Sequence, residues 1–127
     1  MTTKSKLKLE QVLRNNPLQP LVIAGNEIPE MENSISLMAS VDERELHIPS
    51  GWHKLLEMKA QNQKAYLVIE SLDEVDCEKQ EQFAGLVKDR RAGNYKLPAN
   101  VQIVMPVRDK SKLSKKIQLL SLIWDIE

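Results

Sequence analysis

The sequence is short of the residues that make covalent or metal cross-links. Among its 127 residues there is one cysteine, Cys77, so no disulfide can close within the chain. Two histidines, His47 and His53, and no second cysteine leave too few ligands for a four-coordinate Cys/His zinc site. No metal site is expected. Aromatic residues are scarce, with two Trp, two Tyr and one Phe, so the core has to be aliphatic. Net charge is absent too. Lys plus Arg and Asp plus Glu each number 18, and no global field draws the protein to nucleic acid or to a membrane surface. The basic start Met1-Thr-Thr-Lys-Ser-Lys6 leads into no apolar signal region, and no apolar run reaches the ~20 residues of a membrane-spanning helix. These absences point to a soluble cytoplasmic protein without a membrane role. The 42% of hydrophobic residues is enough for a core, and the length fits a single domain over residues 1–127.

Periodicity supplies the elements. Leu9, Val12 and Leu13 repeat at helical spacing over residues 6–15, and Asn15-Asn16-Pro17 ends that helix. Leu21-Val-Ile-Ala24 is a buried strand that stops at Gly25-Asn26. Pro29 and Glu30 suit a first helical turn, with Ile35, Met38 and Ala39 as the apolar face of that helix. Glu45-Leu-His-Ile48 reads as a short alternating strand, and Ser50 as the cap of a helix carrying Trp52, Leu55 and Leu56. Tyr66-Leu-Val-Ile69 is apolar at every position, the mark of a strand covered on both faces. Asp76 caps a helix with Phe83, Leu86 and Val87 inward, and Ala92-Gly93-Asn94 makes a turn. Val101-Gln-Ile-Val-Met105 is a strand closed by Pro106. Lys110–Lys116 is a polar, partly helical connector, and Leu119–Ile126 a fifth strand or, alternatively, a helix. Strands alternating with helices imply an α/β fold, three-layer α/β/α, with a mostly parallel sheet of about five strands.

In such sheets ligands bind at the carboxyl ends of the strands. The stretch that carries most information there is Val68-Ile-Glu-Ser-Leu-Asp-Glu-Val-Asp76. It is followed by Gln80-Glu-Gln-Phe83, by Leu86-Val-Lys-Asp-Arg-Arg-Ala-Gly-Asn-Tyr-Lys-Leu-Pro98 and by Asn100-Val-Gln-Ile-Val104. Taken in that order, these segments resemble the AAA+ ATPases, and in particular their MoxR-like branch. The resemblance implies a P-loop NTPase-like fold. It makes residues 66–70 the magnesium-binding strand, the Asp-Arg-Arg-Ala-Gly-Asn-Tyr-Lys-Leu-Pro run a family turn, and residues 100–104 the sensor strand.

The chemistry that the resemblance implies is missing from the matching positions. A phosphate loop needs G-x-x-x-x-G-K-[ST], because bare N–H groups and a lysine must hold the phosphates. Here Gly25-Asn-Glu-Ile-Pro-Glu-Met-Glu32 keeps the first glycine, but Glu30 stands for the second, Met31 for the lysine and Glu32 for the hydroxyl. Glu27, Glu30 and Glu32 would repel a triphosphate; they also read simply as an acidic helix start. The magnesium-associated Asp becomes Glu70, and the water-activating Glu becomes Ser71, which is no base at neutral pH. The polar sensor counts to Arg108, and no arginine follows it to serve as a finger for a neighbour. The sequence stops at the fifth strand, so no lid domain is expected. Gly25, Asn26, Glu70, Ser71 and Arg108 are therefore read as vestigial, with no catalytic residue and no bound ATP or Mg²⁺. Asp73, Glu74 and Asp76 read as a solvated turn and a helix cap.

Two basic clusters remain. Lys88, Arg90, Arg91 and Lys96 surround Tyr95, which suits a protein contact or else packs the turn onto the sheet. Arg108, Lys110, Lys112, Lys115 and Lys116 form a run without interleaved aromatics, a solvated connector more than a nucleic-acid groove. Cys77 lies between Asp76 and Glu78, without a His to activate it, and reads as structural. The sequence-level expectation is a pseudo-ATPase domain acting as an interaction or scaffold protein. The alternatives are an unconventional nucleotide-binding hydrolase using Glu70, or a nucleic-acid accessory factor using the basic clusters.

Overall fold

The computed structural model describes residues 3–16, 18–25, 31–42, 44, 46 and 51–125. Its elements are α1 (Thr3–Asn15), β1 (Leu21–Ala24), β2 (Ser34–Met38), α2 (Gly51–Lys59), β3 (Ala65–Glu70), α3 (Cys77–Glu81), α4 (Ala84–Asp89), β4 (Arg91–Ala92), β5 (Tyr95–Lys96), β6 (Val101–Val107), α5 (Lys115–Leu120) and β7 (Leu122–Asp125). Short 3₁₀ turns lie at Leu72–Glu74 and Lys110–Lys112.

Five strands form one sheet in the order β2-β3-β6-β1-β7, with every neighbouring pair parallel. Successive side chains of a strand face opposite sides, and the core divides accordingly. Val22, Leu67, Ile69, Ile103 and Met105 meet Leu56, Phe83, Leu86 and Ile117 on one face. Leu21, Ile23, Val68 and Val104 meet Leu9 and Leu13 of α1 on the other. Burial on both sides explains why β1 and the Tyr66–Ile69 part of β3 read as unbroken apolar runs and why β6 is apolar but for the buried Gln102. Each fully buried aliphatic side chain contributes about 1.5–3 kcal/mol. The expected α/β architecture, with helices on both faces of a parallel sheet, is the one observed. Among the described residues no helix is long and apolar enough to cross a membrane.

Several elements differ from the sequence expectation. Residues 34–38 are the edge strand β2, not the face of a helix. Ile35, Met38 and Ala39 satisfy helical spacing, but Ile35, Leu37 and Ala39 are the residues buried, at period two. Leu46 is helical where the strand over residues 45–48 was expected, and its N–H donates to the Asp42 carbonyl at 3.0 Å; residues 45, 47, 48 and 50 lie outside the described residues. The helix capped by Asp76 breaks at Gln82-Phe83 into α3 and α4. There the N–H groups of Gln82 and Phe83 reach back three residues instead of four.

The strand β6 runs through Pro106 to Val107. The Val107 carbonyl faces β1, where it accepts from Gly25 at 3.0 Å. Position 106 therefore turns its missing donor toward β3, whose pairing with β6 has ended at Val104. At the C-terminal end Ser114 caps α5 by accepting from the Ile117 N–H at 3.2 Å. The last strand accordingly starts at Leu122, and Leu119 is helical and exposed.

Two side-chain amides lock the frame, Gln102 buried and Asn33 half-buried. The Gln102 Nε2 donates to the carbonyls of Asn16 and Gln19, both at 2.8 Å, fixing the turn between α1 and β1. The Asn33 Nδ2 donates to Lys59 and Lys64, both at 2.7 Å, joining the end of α2 and the approach to β3 to the edge strand.

Candidate functional site

All five strands end on the same side of the sheet, and there the ends of β1, β3 and β6 surround a cleft of about 320 Å³. Gly25 after β1, Glu70 and Ser71 after β3, and Arg108 after β6 line it together, with Asp73, Glu74 and Val107. Four of the five positions read from the sequence as a vestigial site thus meet in space. The fifth, Asn26, lies outside the described residues.

The local backbone decides what the cleft can do. Ser71 adopts the left-handed conformation, φ 63°, and its carbonyl accepts from the Glu74 N–H at 3.0 Å. Such a conformation costs a non-glycine residue roughly 1 kcal/mol. It turns the chain sharply at the end of β3 and sends Asp73 inward. Asp73 is 8% exposed, and its Oδ2 accepts from the backbone N–H groups of Arg108 and Asp109, each at 3.1 Å. This corrects the expectation of a solvated turn. Glu74 is exposed as expected, and Asp76 caps α3 by accepting from the Lys79 N–H at 2.8 Å. Asp73 is the functional-looking residue that sequence reasoning missed. Its partners lie 35 and 36 residues further on, so no local signal marks it.

Gln80 extends the same seam. It is 1% exposed; its Nε2 donates to Val75 at 3.0 Å and Lys112 at 2.9 Å, and its Oε1 accepts from the Ser114 N–H at 2.6 Å. The connector after β6 is therefore stitched to the segment after β3 by two buried polar side chains. The N–H groups of Arg108 and Asp109 are occupied by a carboxylate of the chain itself. The Gly25 N–H is likewise engaged, by the Val107 carbonyl.

The charges lining the cleft are Glu70, Asp73 and Glu74 against the single guanidinium of Arg108. An excess of carboxylates repels a polyphosphate. Among the described residues no three His, Cys, Asp or Glu side chains come together as metal ligands.

Two further phosphate-loop positions lie elsewhere, and residues 26–30 are outside the described residues. Met31 and Glu32 line a different cleft, with Leu9, Lys64 and Tyr66, at the amino end of the sheet. Residues 31–33 are not helical. The connection from Ala24 to Ser34 is residues 25–33, nine residues, and it must return the chain from the carboxyl end of β1 to the amino end of β2. A phosphate loop alone takes eight, and it works by delivering the ligand to the N-terminus of a following helix.

The residues of the first basic cluster lie around the β4–β5 hairpin and divide into two groups. Arg90 is half-buried in the left-handed conformation, φ 58°, at the end of α4. Its Nη2 donates to the carbonyls of Pro98 at 2.9 Å and Val101 at 2.7 Å. Burial draws its pKa down from the ordinary guanidinium value. Tyr95 is half-buried, edge-on to Trp52 and His53 with ring centroids at 5.8 and 4.3 Å, and its hydroxyl donates to the His53 carbonyl at 3.3 Å. Burial, with help from the Glu57 carboxylate, pushes its pKa up to about 12. Lys88, Arg91 and Lys96 are exposed. Gly93, φ 63°, opens the two-residue hairpin turn with the positive φ that a type II′ turn needs at its first position.

In the second basic run Lys110 pairs with Asp125 at 2.6 Å, while Lys112, Lys115 and Lys116 are exposed. An exposed pair of this kind is worth about 0–1 kcal/mol. Cys77 is exposed, and His53 is buried against Trp52.

No protein-family model and no curated protein matches the sequence. Solved structures match the fold. RuvB of Thermotoga maritima, in two point-mutant forms, superposes with TM-scores of 0.61 and 0.56 at 13% and 14% identity, over 100% and 98% of this chain. A DNA polymerase III gamma subunit-related protein of Thermotoga maritima superposes with a TM-score of 0.54 at 9% identity, over 94% of this chain. The chain spans less than half of each, 45%, 42% and 45% of their lengths. The likeness is one of fold: these are AAA+ ATPase domains, and the present chain has an AAA+-ATPase-like α/β fold.

Proposed function

We propose that this protein is a cytoplasmic pseudo-ATPase domain that works through contact with another protein and does not hydrolyse nucleotide. Within the AAA+ proteins it stands nearest the MoxR-like branch, on the strength of the segment from Asp89 to Pro98. The observation that carries the reading is that backbone donors around the cleft at the carboxyl end of the sheet are already engaged by the chain itself. Asp73 holds the N–H groups of Arg108 and Asp109, Gly25 is bonded to Val107, and the lysine and hydroxyl positions of a phosphate loop are Met31 and Glu32 at the other end. A nucleotide would meet carboxylates where it needs donors. Ser71, where a hydrolase needs a base, contributes a left-handed turn instead.

One observation favours a second reading. Glu70 lines the cleft beside Gly25, and a hydrolase built on an unconventional site would use it. Isothermal titration with ATP and Mg²⁺ separates the two. The pseudo-ATPase reading expects no binding heat and no phosphate release. Saturable binding with turnover would sink it.

A further inference from the structure

The β4–β5 hairpin holds like charges close together without an internal counter-charge. Arg91 and Lys96 are register partners across the two strands, and both are exposed. The next pair, Ala92 and Tyr95, packs inward against the core. Alternation therefore sets Arg91 and Lys96 side by side on the outer face. Directly opposed residues of an antiparallel pair have Cβ atoms about 4.5–5.5 Å apart, and like charges there destabilise. Lys88, exposed in the last turn of α4, adds a third cation, and the exposed Asp89 is the acid beside them. Among the described residues none of Lys88, Arg91 and Lys96 forms an ion pair.

The hairpin cannot relax by swinging away. Arg90 ties its base to Pro98 and Val101, the Leu97 N–H donates to the Arg90 carbonyl at 2.9 Å, and the Tyr95 hydroxyl is held by His53. A rigid support that keeps two cations opposed lowers the stability of the free protein, and a bound anion offsets that cost.

The chemistry of the face selects among anions. The aromatic ring of the cluster, Tyr95, is committed edge-on to Trp52 and His53, so it offers no platform for a base. The chain has zero formal net charge and no field to gather a long polyanion. Two cations on the short hairpin, with a third three residues before it in the last turn of α4, fit a short run of carboxylates, with the Arg91 fork available for bidentate contact. We infer that the Lys88–Arg91–Lys96 face docks an acidic segment of a partner protein. This rests on the reading of the protein as an interaction domain and gives that domain's partner a chemistry.

The test is an amide-shift NMR titration of the ¹⁵N-labelled protein at low ionic strength with a hexaglutamate peptide and, separately, with a short DNA duplex. With the peptide, shifts concentrated in residues 88–96 are expected. Lys96→Glu weakens peptide binding about tenfold. It also raises the melting temperature, because the opposed cations become an attractive cross-strand pair. Lys112→Glu, in the other basic run, leaves the affinity within about twofold. Shifts centred outside the hairpin, or unchanged affinity in Lys96→Glu, overturn the inference. Tighter binding of the duplex through residues 88–96 replaces it with a nucleic-acid contact. Each result is independent of nucleotide binding, so a failed hairpin and a failed pseudo-ATPase reading are told apart.

Discussion

Removing the Asp73 carboxylate should loosen the cleft and cost measurable stability. A hydrogen bond to a charged group contributes about 1.5–3 kcal/mol when its partner is buried. Here two N–H groups converge on one oxygen, and both belong to exposed residues, Arg108 and Asp109, that water can reach once the carboxylate is gone. The expected loss for Asp73→Ala is therefore about 2 kcal/mol, not twice that. Asp73→Asn retains an acceptor oxygen in the same place and should lose only the charge assistance, about 1 kcal/mol. For a chain of this size 2 kcal/mol lowers the melting temperature by roughly 8 °C. Urea unfolding followed by far-ultraviolet circular dichroism measures both variants, with Glu74→Ala, an exposed neighbour, expected within about 0.5 kcal/mol of the parent. A loss below about 0.5 kcal/mol for Asp73→Ala would refute the clamp. Equal losses for the Ala and Asn variants would also refute it, since the shared acceptor oxygen would then be irrelevant.

Arg90→Lys should cost about 1–2 kcal/mol and speed hydrogen exchange of the amides of residues 91–97, because the shorter lysine side chain does not carry its ammonium to the place from which Nη2 reaches both Pro98 and Val101; unchanged protection would mean that another contact supports the hairpin. Tyr95 titrates in the fold near 12, above the ~10 of an unfolded tyrosine, so its contribution to stability is complete below about pH 10 and is lost as pH rises toward 12. Phenolate absorbance in a Tyr66→Phe background, chosen because burial also raises Tyr66, should show the late titration, and a midpoint near 10 would contradict the packing of the ring.

What the sequence disclosed follows from where the information lies. The strands β1, β3 and β6 were legible because both of their faces are buried, and runs such as Tyr66–Ile69, apolar throughout, and Val101–Met105, apolar but for Gln102, have few other uses. The Asp76 cap was legible because its donor, Lys79, is three residues away. Edge strand β2 was not. It is buried on one face only, and Ile35, Met38 and Ala39 mimic a helical stripe. The boundary between α5 and β7 was blurred because Leu119, which is exposed, stands in an apolar run with the residues of the strand. The site divided in the same way. Gly25, Glu70, Ser71 and Arg108 could be found by counting from strand ends, since a parallel sheet brings all carboxyl ends together. Asp73 and Gln80 could not, because the hydrogen bonds that tie them to the segment after β6 span 32 to 36 residues. Arg90, read among the surface cations, turned out to be a staple inside the fold, a role set by carbonyls 8 and 11 residues ahead.

The central claim is that the carboxyl end of this sheet holds no nucleotide because the chain's own groups engage the backbone donors there and carboxylates line the cleft. Calorimetric titration of the whole protein with ATP and Mg²⁺, run alongside Glu70→Ala, measures this most directly. The account predicts no binding heat above dilution for either protein at millimolar ATP. Saturable heat in the parent that disappears in Glu70→Ala, with the melting temperature of the variant unchanged, would contradict it.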